Sequence, residues 1–368
     1  MERPIIHYDY QLGAFPAYRQ AIHSALRGDE EILDRILAEL QTSAPNSAAV
    51  LKGMHAYAKW GQQSYVVGPK LQRMLMETEA SSIPREFIRP PYPGFYIALP
   101  NCNLTLWGGD YTGWHPVSGI YVTMVYGPNP LYPHDNETMP GLLVSLWGRE
   151  NDQSRVLGDD ANMWMIVPLH QEVAMVDIDT IIFSILDNPE NERSDMGVTF
   201  KKGTDLFETQ TTTARVLLRL VFNLILYLNS KDPEIDDVSK STRTRRRALQ
   251  KKLKTAKTKK RKKLQRSLDK MSEAQIVWIG KSLEKQPNPD AEPGSPRESG
   301  KRRRHLRKGH FHPYWVGARK DEEGNLRKGT HMELRWLKPQ WVGSDMADMV
   351  HLRGKQYQFI EEKDDYDE

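Results

Sequence analysis

The charges of this chain are sorted along its length. Residues 1–239 carry 18 Lys/Arg against 30 Asp/Glu, a net of −12, whereas residues 240–368 carry 34 against 18, a net of +16, so the overall balance of +4 conceals two oppositely charged parts. From Lys240 to Arg266 there are fifteen Lys/Arg and no acid. A run of that density must stay in solvent, and it points to a polyanion as partner, which in a cell usually means nucleic acid. A second basic cluster holds Lys301, Arg302, Arg303, Arg304, Arg307 and Lys308.

At 368 residues the chain has room for one substantial domain and a small module. Its one cysteine, Cys102, excludes an internal disulfide framework and a Cys-rich zinc site, and it fits a reducing compartment, so a cytoplasmic location and no membrane partner are expected. The start, MERPIIHYDYQLGAF, lacks a secretory pattern. The longest apolar run, 216–228, is interrupted by Arg219 and Asn223 and reads as a buried helix.

Apolar spacing predicts an α+β fold with helices first, then an antiparallel sheet, then helices. In GDEEILDRILAELQT, Ile32, Ile36, Leu37 and Leu40 share a face and Asp29 can cap the start. A second helix beginning at Asn46 or Ser47 carries Val50, Leu51, Met54, Tyr57 and Ala58. Between 90 and 169, short apolar and aromatic runs at 95–99, 104–107, 120–126, 142–147 and 163–167 alternate with Gly, Pro, Asn and Asp, as strands and turns do. The expected organisation is an α+β domain at 1–235, a basic tract and Pro/Ser/Glu linker at 236–300, a basic aromatic β-rich module at 301–345 and an acidic tail at 346–368. Within the tract, Leu249, Leu253, Leu264 and Leu268 are spaced for one face of a basic amphipathic helix, and 275–280 is a short apolar segment. Two strand-like pieces, 312–316 and 332–337, suggest a hairpin in the C-terminal module.

Arg and Lys supply phosphate affinity and aromatic faces stack on unpaired bases. The phosphate-facing candidates in the tract are Arg245, Arg246, Arg247, Lys251 and Lys252, then Lys259, Lys260, Arg261, Lys262 and Lys263. In the C-terminal module they are Arg303, Arg304, Arg307, Lys308 and Arg335, with His310, His312, Tyr314, Trp315 and Trp336. The same aromatics, with Trp341, can instead form the core of a hairpin, and both hold if alternate strand positions face opposite sides. In the acidic part, Trp107, Tyr111, Trp114 and Tyr121 could wall a cleft for a basic, apolar peptide, although a sheet also needs aromatics for its core.

His305, His310, His312 and His331 lack the Cys or carboxylate spacing that would complete a metal set. With Lys308 and Arg335, His310 and His312 also supply the side-chain types a metal-free ribonuclease needs. The chain lacks P-loop, nucleophile-elbow, H-E-x-x-H and dinucleotide-fingerprint motifs, so neither an enzyme nor a cofactor is expected. Cys102 reads as a buried, inert thiol, and Asp159, Asp160, Asp177 and Asp179 as turn and helix-cap residues.

The run His305-Leu-Arg-Lys-Gly-His310-Phe-His312-Pro-Tyr314-Trp315-Val-Gly317, followed by Glu333-Leu-Arg335-Trp336-Leu-Lys-Pro339, resembles the closing segment of the second type V-A anti-CRISPR family of phages and mobile elements. Weaker likenesses lie in Tyr57-Ala-Lys-Trp60-Gly61, in FIRPPYPGFYIAL from Phe87, around Tyr227 and Ile235, and in Ile276-Val-Trp-Ile279-Gly280. The resemblance implies an inhibitor that evades host defence by acting on biogenesis. Such a protein recognises the N-terminal segment of the type V-A effector nuclease as it leaves the ribosome and causes loss of the encoding mRNA. An acidic aromatic domain for a nascent peptide and a basic extension for ribosome or RNA suit that account. A general RNA- or DNA-binding protein of a mobile element is the alternative, and a ribonuclease a third.

Overall fold

Strand alternation in the central sheet sends apolar side chains to both faces, and helices cover each. The computed structural model describes residues 16–43, 45–107, 113–128, 138–148, 162–169, 175–186, 204–255, 258–269, 275–284, 305–317, 330–338 and 340–342. Three helices come first, α1 (Pro16–Ala25), α2 (Glu31–Ser43) and α3 (Pro45–Lys59). Then follow β1 (Gln63–Val67), α4 (Pro69–Glu77), the short β2 (Ile83–Pro84), β3 (Gly94–Ala98), β4 (Thr105–Trp107), β5 (Trp114–Pro128), β6 (Thr138–Gly148), β7 (Asn162–Pro168) and β8 (Met175–Val176). Two further helices, α5 (Ile178–Leu186) and α6 (Asp205–Leu228), lead to β9 (Ile235–Asp237), the basic helices α7 (Lys240–Thr255) and α8 (Thr258–Asp269), β10 (Gln275–Ile279) and α9 (Lys281–Glu284). The C-terminal part supplies β11 (His305–Arg307), β12 (His310–Val316), β13 (His331–Leu337) and β14 (Gln340–Val342).

The class is α+β, as expected, but the sheet is mixed. Its order is β7-β6-β5-β3-β1-β10-β9, with β4 on β5. The strands β3, β5, β6 and β7 are antiparallel, whereas β1 runs parallel to both β3 and β10. On one face Tyr65, Val67, Phe95, Ile97, Ile120, Val122, Val144 and Leu146 pack with α4, α5 and α6. On the other, Val66, Tyr96, Ala98, Tyr121 and Trp147 pack with α1, α2 and α3 through Ile22, Leu51, Met54 and Tyr57. The predicted face of α3 is the one turned to the core, whereas on α2 the predicted Ile32, Ile36, Leu37 and Leu40 are half-buried against it and Leu33 is the buried residue. Helix α3 lies close on the sheet because Gly94 has no side chain: a Cβ there would come 2.6 Å from the Ala56 carbonyl carbon.

The apolar run is the inner part of α6, whose start is capped by the Thr204 hydroxyl accepting from the Phe207 N–H at 3.3 Å. This helix is long and apolar enough to cross a membrane, yet 67% of its most apolar window is buried in the protein, as a core helix requires. Both polar interruptions have partners. Asn223 donates through Nδ2 to the carbonyls of Leu75 (2.6 Å) and Thr78 (2.9 Å), closing the end of α4, and Arg219 ion-pairs with Asp179 at 2.7 Å at the rim.

The sheet does not stop at the expected boundary of 235. Strand β10 lies between β1 and β9, with Ile279 fully buried, so this segment of the expected 236–300 linker belongs to the body. Its apolar character was visible in sequence; its partner, more than two hundred residues upstream, was not. The C-terminal hairpin is likewise part of the same core, to which Phe311 and Leu334 contribute fully buried side chains.

Candidate nucleic-acid and peptide surfaces

Strands β9 and β10 are antiparallel neighbours, a pair that a tight turn could join. Instead α7 and α8 occupy the connection and pack against each other. Their residues are mostly Lys, Arg, Leu, Gln and Ala, all good helix formers. Leu249, Leu253 and Leu264 are half-buried and Leu268 is buried, so the expected apolar stripe is the less exposed side of the helix pair. Arg245, Arg247, Lys251, Lys252, Arg261, Lys262 and Lys263 point to solvent, and Arg246 is half-buried. Lys259 and Lys260 lie on α8 with their side chains outside the described residues. Like charges one turn apart, such as Arg247 and Lys251, each cost a helix a few tenths of a kcal/mol. With no carboxylate from 240 to 268, a polyanion is the natural source of relief.

The strands β12 and β13 pair antiparallel over seven positions, from His310↔Leu337 to Val316↔His331. Alternation splits the expected aromatics between two faces. Phe311, Leu334 and Trp336 turn inward; the Trp336 indole N–H donates to the Thr78 hydroxyl at 3.3 Å, and its ring meets Tyr227 edge-on at 5.1 Å. Trp336, expected to contact nucleic acid, thus docks the hairpin. Backbone bonds reinforce the contact: Glu79 donates to Gly309 O, Phe311 to Glu79 O and Lys231 to Leu334 O. Two ion pairs, Lys308 with Glu79 (3.1 Å) and Lys231 with Glu333 (3.0 Å), close its rim. Nothing local in the sequence announced Thr78, Glu79, Tyr227 or Lys231 as docking residues.

The opposite face carries His310, His312, Tyr314, His331, Glu333 and Arg335, which register places together. His312 meets Tyr314 edge-on with ring centroids 4.4 Å apart, and the Arg335 guanidinium lies over the Tyr314 ring at 5.0 Å. Glu333 is held below the usual carboxylate range, chiefly by Lys231, with His331 and Arg335 adding to the effect. Trp315 is 40% exposed at the hairpin's far end. Arg307 sits on β11, opposite Gln340, with its side chain outside the described residues; Arg303 and Arg304 are outside them altogether. Among the described residues no group of His, Cys, Asp or Glu has the arrangement of a metal site.

The peptide candidates separate too. Trp107 and Trp114 are cross-strand partners on β4 and β5, half-buried and edge-to-face at 5.4 Å. Tyr121 is 1% exposed, packed among Tyr57, Tyr96 and Trp147, and has no surface to offer a peptide. The physical reason is that the sheet is covered on both faces at this point of the strand, so Tyr121 and Val122, which face opposite ways, are both buried. Tyr111 lies outside the described residues. Cys102 is buried and its thiol is pushed up to about 11 by burial, which keeps it protonated and unreactive. Asp177 accepts from the Thr180 N–H at 3.1 Å, capping α5 as expected.

The sequence profile of the anti-CRISPR type V subtype A2 family, AcrVA2-like, matches residues 65–344, from the first sheet strand to just beyond β14. Among solved structures, the crystal structure of AcrVA2 is similar at 13% identity and a TM-score of 0.45, over 90% of this chain and 96% of that one. No curated protein matches the sequence. With most of its length matched by the family profile, the chain belongs to the anti-CRISPR type V subtype A2 family.

Proposed function

We propose that the protein is a non-enzymatic anti-CRISPR adaptor of the bacterial host cytoplasm. Its acidic body recognises the N-terminal peptide of a type V-A effector nuclease during synthesis, its basic extension contacts the RNA of the ribosome or message, and loss of the effector's mRNA follows. The observation that carries this reading is the insertion, into the connection between β9 and β10, of a helix pair with fifteen Lys/Arg between 240 and 266 and a single acid, Asp269, at its end. Such an insert is poorly suited to building the core and well suited to holding a polyanion. Charge separation supports the peptide half, because the first 239 residues, of net −12, attract a basic segment and the half-buried Trp107–Trp114 pair among them offers it an apolar contact.

The test is co-expression with reporter messages that encode the effector's N-terminal segment in native codons, in synonymous codons and in a shifted frame, reading mRNA levels. Loss of the first two messages with the third spared is the expected result. Loss of all three would point to a general RNA binder, and loss of none would remove nascent-peptide recognition from the account.

A further inference from the structure

The two basic elements are built for different parts of a nucleic acid. Helices α7 and α8 present flexible cations without an exposed aromatic among them, an arrangement that meets phosphates and is indifferent to bases. The outward face of the β12–β13 hairpin presents one guanidinium laid over one phenol ring. We propose that this face is a base-stacking site for single-stranded RNA, with Arg335, backed by Tyr314, as the stacked group. The inference rests on the RNA-contacting part of the function proposed above and goes further, naming the strandedness and the atoms.

Four observations support it. Tyr314 is half-buried and in T-shaped contact with the His312 ring, centroids 4.4 Å apart, so it is a fixed backing for Arg335 and not a loose ring. The Arg335 side chain remains 46% exposed, which leaves room for a second flat group on the side away from the ring. The Glu333 carboxylate, which would repel phosphates, is only 20% exposed; it pairs with Lys231 at 3.0 Å and, at a longer 3.5 Å, with Arg335 itself, so its charge is offset and it steadies the guanidinium. The hairpin is docked by Phe311, Leu334 and Trp336, so the stack is held on a rigid support before any ligand arrives. A planar cation on an aromatic ring stacks on an unpaired base, whose face is free, and not on a duplex, whose bases are already stacked on both sides.

The test uses the full-length protein with two probes, a short single-stranded oligoribonucleotide carrying 2-aminopurine and the same strand in a duplex. Stacking quenches the 2-aminopurine fluorescence. Arg335→Lys keeps the charge but loses the planar cation, and it is expected to abolish the quench and weaken single-strand binding about tenfold, leaving duplex affinity and the salt dependence unchanged. Tyr314→Leu should weaken single-strand binding by a similar factor without altering charge. Replacing the exposed cations of α7 and α8 by Gln should weaken both probes and flatten the salt dependence. Single-strand binding and quench that are unchanged in Arg335→Lys and in Tyr314→Leu would overturn the site while leaving RNA contact by the helices intact. Absence of binding to either probe would overturn the RNA-contacting reading and this site with it.

Discussion

The helix pair α7–α8 and the hairpin β12–β13 leave the same trace in composition and are attached to the protein in opposite ways. In the helices the leucines are the less exposed side chains, and most of the cations face solvent. In the hairpin one face is spent on the body's core and the other is left to solvent. Charge density therefore reports which residues stay in water, whereas attachment is decided by the apolar residues between them. The helices form an appendage, and the hairpin is part of the body that carries one polar face.

The largest expected effect comes from replacing 240–270 with a short Gly/Ser link. Because β9 and β10 are adjacent and antiparallel, the link need bridge only a turn. RNA affinity should fall by about a thousandfold or more at ~0.1 M salt, as loss of many phosphate contacts implies. Urea denaturation should move by no more than about 1–2 kcal/mol, the scale of a few partly buried leucines. A body that unfolds without the helices would erase the distinction between appendage and body. The hairpin should behave in reverse. Phe311→Ala and Leu334→Ala, both at nearly fully buried positions, should each cost about 2–5 kcal/mol of stability and leave helix-borne RNA affinity unchanged. Parent-like denaturation curves for both would mean that the hairpin only lies against the body.

A smaller effect sharpens the same point. If Trp336 acts as a dock through its indole N–H to Thr78 as well as through its ring, Trp336→Phe and Thr78→Val should be coupled by about 1 kcal/mol in a double-mutant cycle. Additive costs would leave only ring packing against Tyr227.

Much of this was legible locally. The faces of α2 and α3, the antiparallel run β3, β5, β6 and β7, the burial of α6 despite Arg219 and Asn223, and both hairpin strands follow from periodicity and turn residues. What was not legible depends on distant partners. Tyr121 and Trp114 occupy the same strand, and only the position of α3 over the sheet makes one core and leaves the other half-buried. Trp336 and Arg335 are neighbours that alternation sends to opposite faces, but which face meets the body is set by Thr78 and Tyr227, far upstream. Strand β10 follows a basic tract and precedes a linker-like stretch, and nothing near it tells that it completes a sheet begun at Gln63.

The smallest effect separates the two elements by acid alone. Glu333 lies 3.0 Å from Lys231 and its carboxyl is held below its ordinary value of 4.5, chiefly by Lys231. A carboxyl more acidic in the folded state than in the unfolded one adds stability above its unfolded value, and that contribution is lost as pH falls through the lower, folded value. Hairpin docking should therefore weaken as pH drops below 4.5, which amide exchange at Leu334 and Phe311 would report. Glu333→Gln should remove this part of the pH dependence while leaving docking near neutral pH little changed, since the pair is a surface one. The helices have a single carboxylate, Asp269 in the last position of α8, so their helicity should stay nearly flat over the same range. If helix signal and hairpin protection fall together, the acid is acting on the body as a whole and the local pair contributes nothing measurable. If protection falls alone and Glu333→Gln abolishes the fall, the hairpin is held at its rim by this one ion pair as well as by its core aromatics, a dependence that the helices do not share.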